Sequence, residues 1–278
     1  MKKRFVLIDG LRICYLEDGE GESIILVHGW PTYSYLWRCV ILKLSKTHKI
    51  FALDLIGFGD SDKPLMGDYS IEKNVEMLKI FMEKLELERA SLVGHDLGGL
   101  IVPSFAAKYP EKISKLVVMN TTPYHSMLTL PMKLMIRALQ TPIFGEIFIS
   151  LMKFGFKPIF KIFFYKKSSI TDESLEEYRR PLIEDENTKK AWLNSMRAIK
   201  PKDLKELEKC IKNIKTKTLI LWAENDYLVA PLSIGERLSC EIEGSVLKTI
   251  PECGHFMQEE SPDLVSKHLS DFLTRKSL

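Results

Sequence analysis

The run LVGHDLGG, residues 92–99, sets a carboxylate, Asp96, among small residues at what reads as a strand-to-helix turn. Gly94 before it, and Gly98 and Gly99 after it, permit the strained bend that lifts one side chain above a sheet. The first amides of the next helix then point at whatever that side chain attacks. A serine commonly occupies the centre of such a turn, and here an aspartate does. An ionised carboxylate needs no base to attack a saturated carbon, because it is already charged at neutral pH, and the product is an ester. Asp is equally a favoured helix N-cap, so the turn alone leaves both roles open for Asp96. Asp226, in KTLILWAENDYLVAP, and His255, in IPECGHFMQEESP, follow two later apolar runs in the chain order nucleophile, acid, histidine. Read singly, Asp226 is an ordinary turn residue and His255 a packed loop residue. Read together, at the ends of successive strands, the three compose a triad.

Positioning such groups requires a sheet, and the apolar pattern supplies one. Strands are expected at 5–9, 12–17, 23–29, 49–55, 90–95, 115–120, 217–223 and 245–251, the first two as a hairpin through Gly10. Helices are expected around 33–45, 70–86, 97–108, 203–213, 231–240 and 261–273, so the fold class is α/β with a mostly parallel eight-stranded sheet flanked by helices. The alternation breaks once. Between Asn120 and Lys215 the chain is aromatic, Met-rich and basic without clear strands, too long and too apolar for a loop. It reads as a helical cap, residues 122–200, inserted after the sixth strand of a core made of 1–121 and 201–278, over the carboxyl edge where open α/β sheets bind ligands.

Composition narrows the partners. The 40 basic and 37 acidic residues leave a net charge of +3, which argues against nucleic acid or an anionic membrane surface. The five scattered cysteines, without metal-ligand spacing, suggest reduced thiols and a cytoplasmic protein with no metal. MKKRFVLIDG reads as a first strand, not a signal peptide. The Phe and Ile stripe from 143 to 164 carries interleaved lysines and is expected to form cap core and pocket wall, predicting an apolar substrate. GFGDSDKP (57–64) lacks the spacing of a phosphate cradle.

The stretches HGWPTYSYLWR (28–38), DLIGFGDSDKP (54–64), GHDLGG (94–99), the acid site around Asp226 and GHFMQEESP (254–262) together resemble the α/β-hydrolases, over residues 5–273. The closer likeness is to the haloalkane dehalogenase and epoxide hydrolase branch, which uses an aspartate nucleophile; YRRPL (178–182) also resembles dehalogenase caps. The resemblance implies a cofactor-free enzyme acting with water on a small apolar organic substrate, as a monomer or homodimer. Asp96 would form the ester, His255, oriented by Asp226, would activate water, and the amides of Leu97 and Trp30 would hold the oxyanion. Asp54 would support the loop beside His28, and His28, Tyr124 and Phe256 would contact substrate. Asn120 resembles the branch whose acid follows the later strand, which favours Asp226. Dehalogenases typically carry Trp after the nucleophile, where this chain has Leu97; the indoles of Trp30 and Trp192 are the alternative halide donors. Epoxide hydrolases use two cap tyrosines. Met196 stands near one expected position, leaving Tyr124, Tyr165 and Tyr178 as substitutes. Haloalkane cleavage is therefore the leading expectation, with epoxide hydrolysis second. A ligand receptor that keeps the pocket, or a weak esterase, follows, since carboxylate attack on a carbonyl would give a reactive anhydride.

Overall fold

The structure is a computed structural model describing residues 1–274. Eight strands form one sheet: β1 (Lys2–Ile8), β2 (Leu11–Asp18), β3 (Ser23–Val27), β4 (Lys49–Leu53), β5 (Ala90–His95), β6 (Ile113–Met119), β7 (Thr218–Ala223) and β8 (Val246–Ile250). Their spatial order is β1-β2-β4-β3-β5-β6-β7-β8. Only β2 runs antiparallel to its neighbours, and every later pairing is parallel. Val, Ile and Leu fill the central strands, and β5 and β7 are buried at every position, as parallel strands covered on both faces must be. All eight expected strands are present, shifted at their ends by a few residues.

Eleven α-helices accompany them among the described residues. Those of the core are α1 (Arg38–Leu44), α2 (Ile71–Lys84) and α3 (Gly98–Lys108). Between β6 and β7 come α4 (Leu130–Gln140), α5 (Pro142–Lys161), α6 (Asp172–Glu184), α7 (Asn187–Ala198) and α8 (Pro201–Ile211). After β7 follow α9 (Leu232–Glu241), the short α10 (Met257–Glu260) and α11 (Pro262–Thr274). Ser70 caps α2 through its hydroxyl, which accepts from the Lys73 amide at 3.1 Å, satisfying one of the donors a helix start leaves free. Helices α4 to α7 pack on one another, whereas α8 packs on α3.

The stripe from 143 to 164 divides in a way its composition does not reveal. Ile149, Met152, Phe156 and Phe160 are buried, but Ile143, Phe144, Ile147, Leu151 and Phe154 face outward. The expectation that the whole stripe makes cap core and pocket wall is therefore corrected. The helical period places alternate members on opposite faces of α5, and only the inward face has a partner.

A polar knot ties α6 to the core. Glu259, on α10, accepts from the Arg38 guanidinium, at 2.9 Å for Nη2 to Oε2, and from the Tyr178 hydroxyl, while Arg38 Nη2 also donates to Ser174 Oγ at 3.0 Å. The Glu259 side chain is only 4% exposed, so its charge depends on these partners. Glu259→Ala strands a half-buried guanidinium and a buried phenol. The expected cost is about 3 kcal/mol of unfolding free energy, read as a lower urea midpoint with unchanged slope.

Candidate active site

The turn after β5 is built around a conformation that few residues tolerate. Asp96 has φ +53°, in the left-handed region, and the backbone holds it there from several sides. Its amide donates to the Met119 and Asn120 carbonyls at 3.3 and 3.2 Å, and its carbonyl accepts from Thr121 Oγ1 at 2.7 Å. Close approach explains two of the glycines. A Cβ at Gly94 would collide with the Gly98 carbonyl, and one at Gly98 would collide with the Val27 carbonyl.

The turn removes one of the two roles left open for Asp96. The N-cap of α3 is Leu97, with no side-chain cap bond, so Asp96 does not cap the helix. Its carboxylate projects away, with Oδ1 accepting from the Trp30 amide at 2.7 Å and Oδ2 lying 3.6 Å from His255 Nε2. The Leu97 amide, at the opening of α3, has no protein acceptor among the described residues.

His255 sits in the loop between β8 and α10, and its backbone is fixed at both ends. Its amide donates to the Phe163 carbonyl at 2.9 Å, and its carbonyl accepts from His95 Nε2 at 2.9 Å. Asp226, beyond the end of β7, holds the ring through Oδ2 to Nδ1 at 2.6 Å. Asn120 Nδ2 donates to the same carboxylate oxygen at 2.8 Å, and the Val229 amide donates to Oδ1 at 3.1 Å. The Ala223 amide donates to Asn120 Oδ1 at 2.9 Å, which fixes the amide's orientation. The structure thus brings Asp96, His255 and Asp226 together at the carboxyl ends of β5, β8 and β7.

Charge follows from this arrangement. Burial disfavours an imidazolium at His255, but the carboxylates of Asp226 and Asp96 outweigh it and raise the pKa to about 10. Burial likewise opposes ionisation of Asp96 and Asp226, yet the facing imidazolium and the amide donors leave both carboxyls below their ordinary range. His95 behaves oppositely. Burial, and then the charge of His255, push it down to about 3, so it stays neutral with its proton on Nε2 and Nδ1 bare.

Asp96 and His255 open into an apolar cavity walled by Leu97, Leu100, Met132, Met135, Ile136, Phe163, Met196, Val229 and Phe256. Two threonines, Thr121 and Thr122, also reach it, but their hydroxyls are committed to the Asp96 and Val229 carbonyls. Trp30 lines the cavity, and its buried Nε1 has no acceptor among the described residues. Trp192 lies behind it, with ring centroids 6.0 Å apart, and its Nε1 is likewise buried without a partner among the described residues.

Two expected substrate contacts lie elsewhere. His28 is buried with Nδ1 bonded to the Gly29 carbonyl at 2.9 Å and Nε2 accepting from the Leu55 amide at 2.9 Å; burial lowers its pKa to about 4. It is a strut between two loops, beside Asp54, whose carboxylate accepts from the Ser34 and Asp60 amides. Tyr124 donates to Glu241 at 2.8 Å under the Arg237 guanidinium, away from the cavity. Tyr178 donates to Glu259 and Tyr165 lies at the surface, so neither lines the cavity. Phe256 is a wall residue, stacked on Phe160 at 4.5 Å. His95 and Thr121 were not singled out from the sequence; the one available signal is their position at the carboxyl ends of strands.

Comparison with known proteins agrees with this geometry at the level of the fold. The family model for the alpha/beta hydrolase fold matches residues 22–142. An uncharacterized hydrolase of Bacillus subtilis is 31% identical over 98% of this chain and 97% of its own length. A cis-3-alkyl-4-alkyloxetan-2-one decarboxylase of Shewanella oneidensis is 27% identical over 98% and 88%. A 2-hydroxy-6-oxo-6-phenylhexa-2,4-dienoate hydrolase of Comamonas testosteroni is 28% identical over 95% and 92%. Among solved structures, the haloalkane dehalogenase DatA of Agrobacterium tumefaciens superposes with a TM-score of 0.86 at 26% identity, over 99% of this chain and 96% of that one. The chain belongs to the α/β-hydrolase fold family.

Proposed function

We propose that the protein is a hydrolase with an aspartate nucleophile that cleaves the carbon–halogen bond of an apolar haloalkane. The observation that carries this reading is the state of Asp96: an ionised carboxylate where a serine commonly stands, with one oxygen on the Trp30 amide and the other facing the cavity and His255. Oδ2 attacks the halogen-bearing carbon and expels halide, and the electron pair of the broken bond leaves with it. The Trp30 indole N–H, buried beside the cavity with no acceptor of its own, receives the departing anion. An unpaired buried donor costs free energy that an anion at this point recovers.

Ester formation changes the electrostatics that hold His255 protonated. With Asp96 neutralised, one of the two carboxylates that raise its pKa is gone, and the imidazole releases a proton to become a base. His255 then takes a proton from water, and the hydroxide attacks the Asp96 carboxyl carbon. The negative charge gathers on Oδ1, where the Trp30 amide already donates, and the Leu97 amide is a second donor at the same turn. Collapse breaks the bond from that carbon to Oδ2, the leaving alkoxide takes the proton from His255, and the carboxylic acid left at Asp96 then gives its proton to His255, which restores the carboxylate and the imidazolium. The net reaction turns haloalkane and water into alcohol, halide and a proton.

Epoxide hydrolysis has less support, because none of the cavity residues is a tyrosine that could protonate the ring oxygen. The Shewanella relative is named as a decarboxylase of a dialkyl oxetanone, an apolar molecule in keeping with the apolar lining of the cavity.

Four variants test the reading. Halide release from a panel of bromoalkanes is expected to fall at least about a thousandfold in Asp96→Ala, and in His255→Gln the intact protein should gain the mass of the alkyl group. Diol from styrene oxide, or an alkene from a dialkyl oxetanone, with no halide release across the panel would reject the dehalogenase assignment. Trp30→Phe keeps the backbone donor and removes the indole N–H; release should slow by about a hundredfold if that donor serves the leaving group. In Asp96→Asn, which mimics the neutral ester, the nuclear magnetic resonance titration of His255 should move below the value of about 10 that both carboxylates impose. An unmoved midpoint would mean that Asp96 does not hold the proton there.

A further inference from the structure

We propose that the outer face of α4 and α5 is a docking surface for an anionic lipid bilayer, against which the protein lies while apolar molecules enter the cavity from the membrane phase. Among the described residues no single helix is long and apolar enough to cross a membrane, and α4 and α5 meet at 104°, so the pair would lie on a bilayer and not span it. Along α5 the exposed positions Ile143, Ile147, Leu151 and Phe154 recur at three- and four-residue spacing, forming one side of a twenty-residue helix about 30 Å long. Phe154 is 81% exposed and Ile143 76%, an arrangement that is costly in water without a cover.

Helix α4 links this face to the cavity. Its inner side carries Met132, Met135 and Ile136, which line the cavity, and its outer side carries the exposed Leu130 and Leu134. The cavity is therefore one helix thickness from the outer apolar face. Interleaved with those leucines are Lys133 and Arg137, exposed and in no ion pair among the described residues.

Charge decides which cover fits. Between Thr129 and Thr171 the chain holds seven lysines and arginines against one acid, Glu146, although its overall charge is only +3. Glu146 is already paired with Arg197. Lys153, Lys157, Lys161 and Lys166 pair with acids on neighbouring elements, which leaves Lys133 and Arg137 on α4, and Lys167 just beyond α5, outside any ion pair among the described residues. A second copy related by a two-fold axis would bring like charges together, whereas an anionic lipid surface complements both the apolar stripe and its basic rim.

The test is sedimentation of the full chain with vesicles of phosphatidylcholine alone or with one quarter phosphatidylglycerol. Binding is expected only with the anionic lipid and should weaken as salt rises. Lys133→Glu with Arg137→Glu should weaken it at least about tenfold, and Leu151→Ser with Phe154→Ser should weaken it comparably; thermal melting of both variants should match the parent, because none of these side chains is buried. Equal binding to both vesicle types, or variants that bind as the parent does, would overturn the proposal. So would a dimer in solution that the Leu151→Ser and Phe154→Ser pair dissociates while no vesicle binding occurs.

Discussion

An ionised carboxylate buried beside an apolar cavity is the constraint around which this molecule is arranged. In such surroundings the charge of Asp96 survives only because the Trp30 amide and the His255 imidazolium face it. The imidazolium survives in turn because Asp226 lies on its other side. Asp226 depends on Asn120 and the Val229 amide, and Asn120 on the Ala223 amide. The chain of dependence thus runs across three neighbouring strand ends, β6, β7 and β5, and into the loop after β8. A shift of any one strand along the sheet would break it, which links the placement of these three side chains to strand register.

Parts of this were legible in the residues. Continuous Val, Ile and Leu runs between helical stretches revealed a parallel sheet, because strands buried on both faces lose the alternation of half-buried ones. Gly94, Asp96, Gly98 and Gly99 marked the turn, because only small residues satisfy its steric demands. The helical nature of the segment before β7 was also readable, and so were Asp226 and His255, since each follows an apolar run in triad order.

Other features were hidden for identifiable reasons. His28 and Tyr124 drew attention as polar or aromatic residues near key motifs, but neighbouring amides and acids satisfy them outside the cavity. No sequence pattern reports which hydrogen bonds a side chain finds. His95 is a neutral buried ring whose task is to hold a carbonyl, and nothing distinguishes it in composition from a core residue. The division of α5 into packed and bare faces was latent in its period. Deciding which face lacks a partner required knowing where the other helices lie.

The bond from the His255 amide to the Phe163 carbonyl has a bearing on how such proteins diversify. A segment from the stretch between β6 and β7 supplies the acceptor that seats the histidine, and Glu260 stitches the same stretch down by accepting from both the Gly254 and Lys166 amides at 2.8 Å. Recombining lids between relatives would therefore not be a neutral exchange of specificity modules. A graft whose border fell before Phe163 would leave the seat of His255 as it is, and one that also replaced 163–166 would keep it only if the new backbone followed the same path, since a main-chain carbonyl and a main-chain amide make both contacts.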